Sequence, residues 1–129
     1  MERVLGRYAG TTYAAMRIML GLAYACHGAG KLFGAFGATP ATDKPLMLVA
    51  GIIEFFGGLL IALGLRADYA AFVASGQMAV AYFMAHASSG GFWPMVNKGE
   101  LAMVYCFVFL YIASRGSGAI SVDAALRKS

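Results

Sequence analysis

The sequence predicts an all-α protein, a four-transmembrane-helix up-down bundle. Hydrophobic residues make up 60% of the chain and charged residues only 12%, whereas a soluble domain averages about 25% charged residues. The apolar residues form four long segments, each close to the roughly 20 residues that cross a bilayer as a helix. Short turn-rich stretches separate these segments, and short connections favour antiparallel neighbouring helices.

The predicted helices lie within a single domain, residues 1–129, and cover residues 12–34, 46–65, 69–86 and 99–114. Pro40 and Pro45 punctuate the loop between the first two helices. Arg17 interrupts the apolar core that a signal peptide would need, so we expect the first segment to be a retained membrane helix. A polar tail is expected after Arg115.

The basic residues are distributed unequally between the two ends of such a bundle. An even number of spans places both termini on one side, which would carry six basic residues against two on the other: Arg3, Arg7, Arg66, Arg115, Arg127 and Lys128 against Lys44 and Lys98. This asymmetry predicts a multi-pass membrane protein with both termini cytoplasmic. A soluble bundle would need charged outer faces, which the second and fourth segments lack. The scattered charges also form no basic run for nucleic acid.

The first apolar segment carries an unusual polar stripe. At about 100° per residue, Arg17, Tyr24, His27 and Lys31 fall within an arc of roughly 80°. Ionisable groups inside a bilayer cost several kcal/mol each and persist when they are paired or functional. We therefore expect the other helices to supply partners for this face.

Depth along each helix, counted at about 1.5 Å per residue, groups the remaining polar residues. One layer near the outer face contains His27, Lys31, His86 and Glu100, with Glu54 below it and Arg17 near the inner surface. The second outer loop can cover this layer. The predicted ligand pocket comprises His27, Lys31, Glu54, His86, Trp93, Asn97 and Glu100. Gln77 falls on roughly the opposite side of the third helix from His86, so a straight helix is not expected to bring it into the cluster.

Three interpretations of the polar cluster remain open. In the first, it is a structural network in which Arg17 and Glu54 form an ion pair, or Arg17 simply extends to the inner surface. In the second, it binds a quinone or another small redox ligand, with a histidine donating to a carbonyl and a glutamate passing on a proton. In the third, it binds a metal, but no compact ligand motif is present and Lys31 would repel a cation. We therefore predict no metal and assign no catalytic residue.

Four blocks of sequence resemble one known family. They are HGAGKLFG at 27–34, GIIEFFGG at 51–58, MAVAYF at 78–83 leading to His86, and GFWP at 91–94 followed by Asn97, Gly99 and Glu100. In this order they resemble the DoxX family of small bacterial integral membrane proteins, over residues 17–118. Many relatives have Gly-Gly before the glutamate where this chain has Lys98-Gly99.

The resemblance implies four helices in the plasma membrane. Relatives are associated with quinone-linked sulfur oxidation and with membrane complexes that manage thiol and oxidative stress. We therefore expect a redox-associated membrane subunit with a pocket near the outer leaflet, and a quinone is the cofactor that this suggests. The alternative is a non-catalytic scaffold or accessory subunit of a larger membrane complex. Expected partners are the lipid bilayer, other subunits of such a complex, or further copies of this chain in a homo-oligomer.

Overall fold

The computed structural model describes residues 3–87, 91–94 and 99–128, without the side chains of residues 86, 87 and 128. These residues form five α-helices: α1 (Ala9–Phe33), α2 (Pro45–Leu63), α3 (Ala67–Ala81), α4 (Glu100–Arg115) and α5 (Val122–Lys128). Helix α3 continues into a π-helical segment, Tyr82–Ala87. The described residues contain no strand, so the predicted all-helical class is confirmed.

Helices α1 and α2 pack backbone against backbone in antiparallel orientation. Their contact is made by four glycines, Gly21 and Gly28 on α1 and Gly51 and Gly58 on α2. A Cβ atom added at Gly28 would lie 2.2 Å from the backbone nitrogen of Phe55, and one at Gly58 would lie 2.5 Å from that of Ala25. This contact fixes the register of α2 against α1. As a result, Glu54 lies level with residues 24–28 of α1.

The remaining contacts close the four long helices into a ring. Helix α3 turns Ser75 toward α4, where its hydroxyl donates a hydrogen bond of 2.7 Å to the carbonyl of Cys106. Helix α1 meets α4 through aromatic rings: the centroid of Tyr24 lies 5.6 Å from that of Tyr105 and 4.8 Å from that of Phe109. Tyr24 and Phe109 are fully buried, so the core lies between these helices.

The polar tail expected after α4 is instead an ordered segment, residues 116–124, which we call the C-terminal clamp. It turns at Gly116 and Gly118, whose φ angles are +79° and +84°, values that glycine adopts without strain. The clamp then packs on the α2–α3 turn, where the N–H of Asp123 donates to the carbonyl of Gly64 at 3.0 Å. The prediction failed here because a short segment in which glycine and serine alternate with single apolar residues has no clear apolar periodicity of its own.

The clamp also holds the start of α3. The carboxylate of Asp123 accepts hydrogen bonds from the Ser117 hydroxyl and from the backbone N–H of Arg66, both at 2.8 Å. The Ser117 hydroxyl oxygen in turn accepts the N–H of Ala67 at 3.2 Å. The Ser117 hydroxyl, and then the Arg66 N–H, hold the pKa of the Asp123 carboxyl below its ordinary value. Two N–H groups at the start of α3, which have no partner within the helix, are thereby satisfied.

By length and composition, one helix among the described residues qualifies as a membrane span. It is α2, with 19 residues and a mean hydropathy of 2.4. Helices α3 and α4 have 15 and 16 residues, fewer than the roughly 20 that a span needs. Helix α1 is long enough at 25 residues, but Arg17 and Lys31 lower its hydropathy. This criterion therefore does not establish a four-span bundle.

Candidate functional site

A chain of four polar side chains lies between α1, α2 and α3. The ammonium of Lys31 donates to Oε1 of Glu54 at 2.6 Å. The amide nitrogen of Gln77 donates to the other carboxylate oxygen, Oε2, at 2.9 Å. The hydroxyl of Tyr24 donates to the carbonyl oxygen of Gln77. One carboxylate therefore holds three helices together.

The local sequence explains why Glu54 is deep. It lies between Gly51 and Gly58 on the face of α2 that touches α1, and its side chain is only 2% exposed. A bare glycine backbone on either side lets α1 approach closely enough to enclose the carboxylate. Lys31, in the last turn of α1, reaches this carboxylate and keeps 25% of its side chain exposed. A buried carboxylate paired with a cation and an amide avoids most of the penalty of burial.

A cavity of about 620 Å³ lies against this polar chain. Its polar wall consists of Tyr24, His27, Lys31, Glu54, Gln77 and Tyr105. Its other walls are mostly apolar and come from α2, α3, the π-helical segment and the start of α4. Small-molecule pockets typically measure about 300–1,000 Å³ and combine an apolar lining with a few convergent polar groups, so this cavity is the candidate ligand site.

His27 lies at the edge of the cavity and is exposed. Its ring packs edge-on against Tyr105, with 6.1 Å between centroids. Among the described residues it has no hydrogen-bond partner, unlike Lys31 and Glu54. Its two ring nitrogens are therefore available to a ligand in the cavity.

The predicted pocket residues do not all meet. His27, Lys31 and Glu54 line the cavity together. Glu100 is exposed in the first turn of α4 and does not line it, and Trp93 is 68% exposed in the preceding loop, also away from the lining. The remaining predicted residues, the side chain of His86 and all of Asn97, lie outside the described part of the chain.

Comparison with known proteins agrees with the motifs and the helical fold. Residues 12–87 match the sequence model of the DoxX family. The chain belongs to the DoxX family. A Haemophilus influenzae protein described as uncharacterized is 38% identical over 125 residues, which cover 92% of this chain and 93% of that protein. No solved structure matches the chain. Family membership supports a membrane protein of the DoxX type, in keeping with the apolar helix α2.

Arg17 of this DoxX protein does not pair with Glu54. The guanidinium is 1% exposed and donates to backbone carbonyls of Ile61 at 2.9 Å, Ile120 at 2.9 Å, Ala62 and Ser117. The α1–α2 register explains why the predicted Arg17–Glu54 pair does not form. It sets Glu54 level with residues near Lys31, and it sets Arg17 against the end of α2. Carbonyls there lack helical partners and carry the negative end of the helix dipole. Nor does Arg17 extend to the surface, because it is fully enclosed.

Gln77 is the site residue that the sequence analysis excluded. The helical period predicts that Gln77 lies on a different side of α3 from His86 and therefore outside the cluster, but the structure brings Gln77 to Glu54. Ser75 and Tyr82 are buried on one side, with Ser75 on α4, whereas Gln77 faces α2 and Glu54. The available signal was that Gln77 is an amide in an otherwise apolar helix, where a polar group requires a partner.

The described residues of the DoxX protein bring no three His, Cys, Asp or Glu side chains together as a metal site would require. Glu54 is already engaged on both oxygens, by Lys31 and Gln77. The metal interpretation therefore finds no support among them.

Proposed function

We propose that this DoxX protein crosses the plasma membrane four times, through α1 to α4, with both termini in the cytoplasm. The support is that each helix turns large apolar side chains outward, among them Met19 on α1, Phe56 on α2, Phe72 on α3 and Phe107 on α4, all more than half exposed. Helical turns also continue from residue 67 to 87, about 30 Å at 1.5 Å per residue. That length matches the hydrocarbon core of a bilayer.

Arginines stacked on tyrosines support the proposed orientation. Arg66 lies over Tyr69, and Arg115 lies over Tyr13 and Tyr111, at 5.6 to 5.9 Å from the ring centroids. All are at the end of the bundle that carries both termini. Aromatic and basic side chains are typical of the cytoplasmic membrane interface.

Reporter fusions test the topology. Green fluorescent protein fused after Ser129 should fluoresce, because it folds in the cytoplasm, and alkaline phosphatase fused after Asp43 should be active, because it requires the periplasm. Active phosphatase at the C-terminus would refute this orientation.

We propose further that the cavity binds a quinone-type redox ligand, which would make the protein a redox-associated membrane subunit. One observation carries the proposal: the Lys31–Glu54 pair and its hydrogen-bonded neighbours face a cavity of about 620 Å³ whose other walls are mostly apolar. A quinone likewise has polar carbonyl oxygens on an apolar ring. A bound quinone would supply two-electron redox chemistry in the membrane.

The residues of the cavity wall suit such a ligand. The ammonium of Lys31 has three N–H groups, of which Glu54 takes one, so others can donate to a carbonyl oxygen. His27 can donate to the second carbonyl through a ring N–H. Glu54 and Gln77 would hold Lys31 in place. The rings of Tyr24 and Tyr105 offer flat surfaces for packing.

Calorimetric titration of the protein in lipid nanodiscs with a decyl-ubiquinone tests this function. We expect saturable binding, weakened at least tenfold by His27→Ala and by Lys31→Met. Trp93→Phe is the matched control, since Trp93 does not line the cavity and should leave binding unchanged. Absence of saturable binding, or equal binding by the wild type and the two cavity variants, would refute the proposal.

A second candidate function is a non-catalytic accessory subunit. It is favoured by a specific observation: among the described residues, no buried side-chain nitrogen or oxygen lacks a hydrogen-bond partner. The polar network is thus complete without a ligand, as expected of a structural element. Native mass spectrometry after mild detergent extraction discriminates, because an accessory subunit should retain a second protein chain. A stable monomer with no associated chain would count against this role.

A further inference from the structure

Gly76, in the middle of α3, is a glycine that neither packing nor backbone conformation requires. A Cβ atom added there would meet no heavy atom within 4 Å, whereas one at Gly28 would collide with the backbone of α2. Its φ angle lies in the ordinary helical region. Glycine is less favourable than alanine inside a helix. Gly76 is nevertheless exposed and lines the cavity, so its effect is to leave a gap in the wall.

The neighbours of Gly76 show where this gap leads. Val73 and Val80, about one turn away on either side, line the cavity and are 52% and 55% exposed. Val49 on α2 also lines it and is 54% exposed. A side chain that contacts the cavity and is also exposed lies at a mouth of that cavity. These residues therefore define an opening between α2 and α3 on the side of the bundle, which we call the lateral mouth.

The chemistry of the lateral mouth selects its occupant. Valine and glycine offer no side-chain hydrogen bonds, and the backbone groups beside them are engaged in helices, so neither a polar solute nor an extended peptide is recognised there. The cavity runs along α3 and the π-helical segment that follows it, from Val73 to Ala85. This length is about 18 Å at 1.5 Å per residue. A single aromatic ring at Lys31 and Glu54 leaves most of that length empty.

We infer that the lateral mouth admits the flexible apolar tail of an amphipathic ligand, of isoprenoid or alkyl type, which enters from the lipid with its polar head at Lys31 and Glu54. This inference rests on the proposed ligand-binding function and adds the ligand class and its route. The rival route is the outer end of the bundle, where Leu46 and Leu101 line the cavity and are 60% and 53% exposed.

The test compares two probes, the same dimethoxy-methyl-benzoquinone head with and without a decyl tail. Gly76→Phe should weaken binding of the tailed probe at least tenfold and leave the tailless probe within twofold of wild type. Val49→Trp narrows the mouth from the opposite wall and should act in the same direction. Gly76→Ala, too small to close the mouth, should bind both probes normally. Gly10→Phe is the control for surface aromatics, because a Cβ at Gly10 also meets nothing and Gly10 does not line the cavity.

Each alternative result has one meaning. If both mouth variants bind the tailed probe as the wild type does, the lateral route is wrong and the outer end remains. If Gly76→Phe weakens both probes equally, the substitution disturbs the head site and the inference is also overturned. If the wild type binds neither probe, the proposed quinone function itself fails. Thermal unfolding of each variant verifies that it is folded.

Discussion

The ion pair of Lys31 and Glu54 is asymmetric in its surroundings. Glu54 is 2% exposed and has a short stem, whereas Lys31 is 25% exposed and has a long, flexible one. In a low-dielectric interior, the partner that cannot move is the one whose isolation is most costly. The two residues therefore differ in their contribution to stability although they share one contact.

Removing the cation should be more damaging than neutralising the acid. Lys31→Met leaves a buried carboxylate unpaired, and we expect the free energy of unfolding to fall by about 3 kcal/mol. Glu54→Gln keeps the hydrogen bond to Gln77 while Lys31 extends toward the interface, so the loss should be only about 1–2 kcal/mol. Denaturant titrations in detergent measure both values. The double variant should recover part of the loss, and a purely additive result would argue against the pair.

At the level of single residues, the sequence predicted part of the site. His27, Lys31 and Glu54 were recognised because ionisable groups in apolar helices are conspicuous, and helix period and depth group them. The partners were not determined, because they depend on register between helices. Arg17 has no acidic partner at all among the described residues, and four backbone carbonyls, invisible in a sequence pattern, receive its hydrogen bonds.

Glycines play opposite roles in different helices. In α1 and α2 they permit backbone contact, and in α3 Gly76 leaves open space. Spacing along the sequence does not distinguish these two roles, because it cannot tell a packed helix face from an empty one.

The same substitution should thus have opposite effects at two sites. Gly28→Ala introduces a Cβ that would lie 2.2 Å from the backbone nitrogen of Phe55, so α1 and α2 must separate and we expect a loss of about 1–3 kcal/mol. Gly76→Ala introduces one into open space and should stabilise the protein by about 0.5–1 kcal/mol. Thermal unfolding in a common detergent measures the sign of each change. Destabilisation by Gly76→Ala would show that open space is absent there.

For the molecule as a whole, the C-terminal clamp links helices that are distant in sequence. Asp123 and Ser117 hold the start of α3, and Ser117 and Ile120 hold Arg17 of α1. The all-helical class and the four long helices followed from composition and apolar segments, whereas the clamp did not, because its contacts are made by single hydrogen bonds in a short stretch without clear periodicity.

The clamp should weaken in acid. The pKa of Asp123 is lower in the folded protein than in the unfolded chain, so its contribution is fully present above the unfolded value of about 3.9 and is lost as pH falls through the folded pKa. Hydrogen exchange of α5 in the wild type should therefore be slower than that of Asp123→Asn at pH 6, and should approach it once the pH falls below the folded pKa of Asp123. Asp43→Asn, in the exposed α1–α2 loop, is the matched control. Equal protection of the wild type and Asp123→Asn at pH 6 would contradict this.

The position of Arg17 has a consequence for biogenesis. The guanidinium emerges from the ribosome with the first helix, but two of its four carbonyl acceptors belong to Ser117 and Ile120, which are synthesised about one hundred residues later. Until translation ends, the first helix carries a cation whose final environment does not yet exist. If α1 spans the membrane as proposed, insertion of that helix and completion of its packing are separate events, and nascent chains that stop before Ser117 should remain substrates for membrane quality control.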